Sequence, residues 1–227
     1  MPDNRMHIAL FGPPGAGKST QSKFLLRRWP IVSLSTGKML REESAAGSEL
    51  GLKVRDLLGR GELVDDETMI ATIRKWLENL PADKGFLLDG FPRTIPQAIA
   101  LDEMLEELGR PLNGVVNLKL SVSEAVYRLG GRRICYGVGP EEIIHINDED
   151  AVNRCLARGG LLVQRSDDLP NVIVKRLNVH EAETEPLLNY YRPRNIVHSV
   201  EASGSQEEVA QRIVEGFEPK ASHTPKQ

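Results

Sequence analysis

The chain has 227 residues, more than one ordinary domain of about 150 and fewer than two, so it reads as one core carrying insertions. Apolar residues make up 40% and charged residues 27%, enough core-forming material to exclude a mostly disordered chain. The 29 basic and 32 acidic residues leave a formal charge of -3, which excludes bulk nucleic acid as the main partner. No apolar run approaches a membrane span, and the start is short and polar, so no membrane partner is expected. Two cysteines, Cys135 and Cys155, are too few for a secreted disulfide framework and favour a reducing compartment.

Along the chain, strands are predicted over 7–11, 31–34, 86–88, 115–120 and 196–200. Helices are predicted over 18–28, 67–80, 96–108, 124–129, 169–191 and 206–217. In Met69, Ile73, Trp76, Leu77 and Leu80 the apolar spacing is three or four, as a one-sided helix requires. Strands alternating with helices predict an α/β fold, a parallel sheet covered on both faces. Residues 130–168 break that alternation, and a structureless stretch of this length inside a domain implies function. The polar tail 219–227 reads as a frayed terminus.

Gly12-Pro13-Pro14-Gly15-Ala16-Gly17-Lys18-Ser19-Thr20 follows the first strand and opens a helix, the context a phosphate-binding P-loop requires. Its glycines let backbone N–H groups turn toward phosphate oxygens. Lys18 reaches the β and γ phosphates, and Ser19 offers a hydroxyl to Mg²⁺. The run Gly85-Phe86-Leu87-Leu88-Asp89 brings a carboxylate to the same sheet edge. Asp56-Leu57-Leu58-Gly59 matches a GTPase tetrapeptide, but Val54, Leu57 and Leu58 form one helix face. No Asn-Lys-x-Asp or Thr-Lys-x-Asp reads guanine, so a switch GTPase is rejected.

Further motifs follow in order: 34–41 (Leu-Ser-Thr36-Gly-Lys38-Met-Leu-Arg41), 61–64 (Gly-Glu-Leu-Val), 89–97 (Asp-Gly-Phe-Pro-Arg93-Thr-Ile-Pro-Gln97), Arg128 to Arg133, and 164–168 (Gln-Arg165-Ser-Asp-Asp). With the P-loop, these closely resemble the adenylate kinases of the long-lid type, over about residues 7–217. The resemblance implies a P-loop NTPase-type core with a parallel five-stranded sheet. It implies an AMP-binding insertion at 35–64 and a lid insertion at 131–168. The activity implied is reversible transfer of the γ-phosphoryl group of Mg-ATP to AMP, giving two ADP, with GTP as the alternative donor. The sequence carries no oligomer signal, and a monomer in the cytoplasm is expected, with the mitochondrial intermembrane space as the alternative.

The resemblance also implies roles. Gly15, Ala16, Gly17, Lys18, Ser19 and Thr20 would hold ATP, with Arg128 flat against its adenine and Gly204 offering it a carbonyl. Arg41 and Arg93 would grip the AMP phosphate, and Arg132, Arg165 and Arg176 the transferring group. Thr36 and Gln97 would read the AMP base, while Glu62, Leu63, Val64 and Gly90 pack along base and ribose. Ser19 and Asp89 would hold Mg²⁺, partly through water. Arginine suits such work because its planar fork grips phosphate with two bonds and keeps its charge. The acceptor is itself an ionised phosphate oxygen, so no protein base is needed. The five histidines (His7, His145, His180, His198 and His223) read as surface or packing residues. Asp167 and Asp168 would pair with the lid arginines, or cap the following helix.

Two departures from the family pattern stand out. Lys38 replaces the usual Asp and predicts weaker magnesium dependence, unless the side chain points to solvent. Relatives that hold a lid zinc use two Cys-x2-Cys pairs. Here Cys135 and Cys155 occupy the first and third positions, with Val138 and Arg158 at the others, so no zinc is expected and the cysteines read as packing residues.

Overall fold

The computed structural model describes residues 5–60 and 62–217. The expected tail 219–227, and Gly61 of the 61–64 motif, lie outside the described residues. The chain opens with β1 (His7–Phe11), buried along its whole length, and α1 (Lys18–Arg28), entered through Gly17 in left-handed conformation and closed by Arg27 and Arg28. Cations in a last turn complement the helix dipole. Then come β2 (Ile31–Ser35), α2 (Thr36–Ala46), α3 (Glu49–Arg60), α4 (Asp66–Glu78), β3 (Gly85–Asp89), α5 (Ile95–Glu107), β4 (Gly114–Lys119) and α6 (Val122–Gly131). Side chains cap α4, α5 and α6: Asp65, Thr94 and Ser121 each accept a backbone N–H three residues on. The remainder is β5 (Arg132–Tyr136), β6 (Glu142–His145), α7 (Glu149–Ala157), β7 (Leu161–Val163), α8 (Pro170–Tyr191), β8 (Val197–Glu201) and α9 (Gln206–Phe217).

Five parallel strands form one sheet in the order β2-β3-β1-β4-β8. Apolar clusters lie against it: Ile8, Leu10, Leu25 and Ile213 in one, and Ile73, Leu77, Phe86 and Leu101 in another. A strand covered on both faces needs no polar alternation, which is why β1 and β3 read as continuous apolar runs. β1 sits between β3 and β4, so the chain leaves its C-terminal end where the strand order reverses. That is where open α/β sheets bind ligands. The expected five-stranded parallel sheet is therefore present, each strand within a residue or two of its expected place. Among the described residues no helix is long and apolar enough to cross a membrane.

The structure adds what periodicity gave only in part, as the helix face of Val54, Leu57 and Leu58 in α3. Residues 36–60 form two helices, α2 and α3, that cross tightly. A Cβ on Gly51 would lie 2.0 Å from the Glu43 carbonyl oxygen. Residues 132–163 form a second, antiparallel sheet in the order β6-β5-β7, with α7 packed on it. The reading of Cys135 and Cys155 as unpaired packing residues is corrected: they form a disulfide. β5 carries Cys135 into this small core, and the last turn of α7 delivers Cys155 to the same spot, with Cα atoms 5.9 Å apart.

Candidate active site

The site gathers at the C-terminal edge of the large sheet. Gly12, Gly15 and Gly17 all have positive φ, which suits glycine. At Gly12 the need is also spatial, since a Cβ there would lie 2.8 Å from that of Leu118. The turn brings the Lys18 ammonium back across the loop, where it donates to the carbonyls of Gly12 (2.6 Å) and Pro13 (3.1 Å). Burial pulls Lys18 down to about 8, partly offset by Asp89 and deepened by Arg93, Arg176 and Arg132. A cation held among cations out of water is complementary to an anion.

Parallel pairing sets Leu10 of β1 beside Asp89 of β3, so the P-loop and the Asp89 carboxylate emerge side by side. The Ser19 hydroxyl donates to Asp89 Oδ2 at 3.2 Å. This pair of hard oxygens, one of them a buried carboxylate, fits a magnesium ion that keeps waters and shares phosphate oxygens. No described group of three or more His, Cys, Asp or Glu forms a self-sufficient metal cage. Magnesium bound chiefly through its nucleotide does not need one.

On the other side of Asp89, the Thr36 hydroxyl donates to the carbonyls of Asp89 (3.2 Å) and Gly90 (3.1 Å). Arg93 Nε donates to the Gly90 carbonyl at 2.9 Å. Gly90 has φ of 89°, and a Cβ there would lie 2.6 Å from the Thr36 hydroxyl. Gln97 is buried and engaged at both ends. Its Oε1 accepts the Arg93 N–H (2.8 Å), and its Nε2 donates to Asp66 (2.8 Å). Asp66 also accepts from the Thr94 hydroxyl, so it organises this wall without having been singled out in the sequence. Its only signal there was its place in an acidic first helical turn. Glu62 lies at the rim, 2.7 Å from Lys175 of α8, beside half-buried Leu63 and buried Val64.

The third wall comes from residues 128–176. Arg128 donates to the Ala202 carbonyl at 3.2 Å and pairs with Glu124, near the turn that carries Gly204. Arg132 grips fully buried Asp168 with two bonds, of 2.7 and 2.5 Å. Arg176 bonds the Asp167 carbonyl and the Asp168 carboxylate, and Arg41 reaches to 3.8 Å of Asp167. Asp167 and Asp168 thus do pair with the arginines. The N-cap of α8 is Leu169, so the capping alternative is not what the structure uses. Arg165 Nε is buried with no hydrogen-bond partner among the described residues, and burial with Arg41 and Arg132 nearby lowers Arg165 to about 10.

The structure thus brings Lys18, Arg41, Arg93, Arg132, Arg165 and Arg176 into one field, opposed by Asp89, Asp167 and Asp168. His180, read as a surface or packing residue, lies on the same helix as Arg176. It stands one turn after Arg176, bonded to the Thr184 hydroxyl, and burial together with Lys18 and Arg93 pushes it down to about 3. Lys38 is outside: its side chain is 67% exposed, with the ammonium 3.5 Å from Glu42. Of its two readings, the structure shows the solvent-facing one.

A family model described as "Adenylate kinase" matches residues 10–196. An adenylate kinase of Methanocella arvoryzae is 44% identical over 204 residues, 90% of this chain and 94% of that protein. One from Carboxydothermus hydrogenoformans is 42% identical over 90% of this chain and 95% of its own length. One from Archaeoglobus fulgidus is 41% identical over 92% and 96%.

Proposed function

The chain belongs to the adenylate kinase family, and from that premise we propose how its residues carry the reaction. The protein is a nucleoside monophosphate kinase that moves a phosphoryl group reversibly between ATP and AMP, giving two ADP. The observation that carries the proposed roles is the convergence of six cations at this site, with Asp89, Asp167 and Asp168 as the carboxylates that act on them. Two nucleotides meeting head to head bring several phosphates together, and catalysis is then mainly positioning and charge neutralisation.

Lys18, with the backbone of Gly15 to Thr20, holds the donor phosphates and follows the charge as it moves. Arg41 and Arg93 hold the acceptor phosphate. Arg132, Arg165 and Arg176 surround the transferring group, while Arg128 and the Gly204 turn take the donor base. Thr36, Gln97, Gly90 and the 62–64 segment form the acceptor base site. For Thr36 and Gln97 to read adenine, they must exchange hydrogen bonds they already make within the protein, a cost that a base lacking the matching groups would leave unpaid. Ser19 and Asp89 would hold magnesium, which when bound would screen the donor phosphates. Residues 35–64 act as the acceptor-binding insertion and 131–168 as the lid. One chain supplies every group named, which supports a monomer as the working unit.

The test is a coupled assay of ADP formation with AMP as acceptor and either ATP or GTP as donor. The proposal expects ATP with AMP to give two ADP per turnover at a kcat/KM well above that with GTP. Equal or better turnover with GTP would overturn the donor assignment.

A further inference from the structure

The small sheet holds a feature that phosphoryl transfer leaves unused. Cys135 lies on its middle strand, paired in register with Glu142 of β6 on one side and Leu162 of β7 on the other. Cys155 lies in the last turn of α7, and the bond between the two sulfurs ties the helix of this unit to its sheet across 20 residues of chain. The core around the bond is small. Beyond the cysteines it buries only Ile144 and Ala151, with Val138, Val152 and Leu162 packed at its edge. A core of that size does not hold a unit together by burial alone, and cross-links make good the deficit in small folds. The chain also passes close to the bond: a Cβ on Gly160 would come within 2.7 and 2.8 Å of the two sulfurs.

One of these strands carries a cation of the site and another leads into a second. Arg132 opens β5 three residues before Cys135. Ile134 of β5 pairs with Val163 of β7, and Arg165 follows two residues later. Whatever holds β5 against β7 and α7 therefore sets where Arg132 and Arg165 stand relative to each other.

We propose that Cys135–Cys155 is a thiol–disulfide exchange site whose oxidation state sets the rigidity of residues 132–163, and through it the hold on the donor nucleotide. The second half of that statement rests on the roles given above to Arg132 and Arg165. The co-reactant is a dithiol. One of its thiolates attacks a cystine sulfur, breaking the S–S bond and forming a mixed disulfide. Its second thiol then displaces the remaining cysteine, so that two electrons and two protons pass to Cys135 and Cys155 while the dithiol becomes a disulfide. Both sulfurs are buried, so exchange follows local opening of the unit. ATP, by engaging Arg132 and Arg165, slows the reduction.

The experiment uses the full chain, treated with oxidised glutathione or with dithiothreitol. Thiols are counted after denaturation, amide hydrogen exchange is followed across 132–163, and KM is measured for ATP and AMP. The oxidised protein should show no thiols and the reduced protein two. Reduction should speed exchange in 132–163 by about a hundredfold while the large sheet is unchanged. It should raise the KM for ATP about tenfold by lowering the fraction of competent lid, leave the KM for AMP within about twofold, and reverse on reoxidation. The double variant Cys135→Ala, Cys155→Ala should start at the reduced values and ignore dithiothreitol. The comparison of the two redox states of the unaltered protein stands even if that variant does not fold. Two thiols after glutathione treatment, or exchange in 132–163 that does not respond to reduction, would overturn the proposal. Faster exchange with an unchanged KM for ATP would keep the exchange site and refute the arginine roles instead.

Discussion

The large sheet and the small sheet of residues 132–163 deliver charge to the same place by different means. In the large sheet, β1 and β3 are buried from end to end, and the register that sets Leu10 beside Asp89 is held by apolar packing on both faces. Lys18 and Arg93 are therefore presented by a frame that needs no help from their own contacts. The small sheet has strands of five, four and three residues around a core of four buried side chains. It positions Arg132 through a bidentate bond to Asp168 at the foot of α8. Rigidity in one region comes from burial, and in the other from a cross-link and a buried ion pair. Substitutions should accordingly affect chemistry alone in the first region, and chemistry together with local order in the second.

The largest effect is expected at Lys18. Among the described residues its ammonium bonds only loop carbonyls, so Lys18→Ala should leave the fold intact while lowering kcat by about a thousandfold, as loss of a transition-state charge partner does. Turnover and far-UV circular dichroism on one preparation check both halves of that statement. In the second region, Asp168→Ala strands the Arg132 guanidinium beside a buried hole and leaves Arg176 with Asp167 alone. It should cost about 3 kcal/mol in urea unfolding as well as activity. A variant as stable as the parent would erase the contrast between the regions.

A smaller effect follows from titration. Lys18 falls from 10.5 to about 8 in the fold, so between those pH values the unfolded chain binds more protons and this group's contribution to stability rises with pH. His180 falls from 6.5 to about 3, so its contribution is lost as pH drops through that window. In kinetics, kcat/KM should decline above pH of about 8 as the free enzyme loses the Lys18 proton. The limb in kcat should lie higher, because bound phosphates favour the ammonium. Lys18→Arg should flatten the limb in kcat/KM. The smallest effect is expected at Lys38, which faces solvent beside Glu42. Magnesium titrations of the parent and Lys38→Asp at fixed ATP and AMP should superimpose if this position lies off the metal, and a lower magnesium midpoint in the variant would place it there.

The same contrast explains what could be read before any coordinates. Strands buried on both faces are continuous apolar runs, so all five strands of the large sheet were legible, as was the glycine pattern of the P-loop. Of the α2–α3 pair only the face of Val54, Leu57 and Leu58 was legible as helix, because Gly37, Gly47 and Gly51 look like breaks. Gly51 is in fact the contact point that lets two helix backbones meet, which a single sequence does not distinguish from a turn. The small sheet was invisible because three to five residues give too few periods to count. Cys135 and Cys155, 20 residues apart, carry no pairing information until β5 and α7 bring them together. Among site residues, the motif arginines were found by pattern. Asp66 was not, since it acts through Gln97 and Thr94, neighbours that only the fold supplies.

The claim that both regions serve one transfer event is tested most directly by a double-mutant cycle on kcat with Arg93→Ala and Arg132→Ala. The account predicts that the double variant loses clearly less than the product of the single losses, because groups acting on one transition state fail as a unit. Strictly multiplicative losses would contradict it, since they would mean that the cation from the large sheet and the cation from the small sheet act independently.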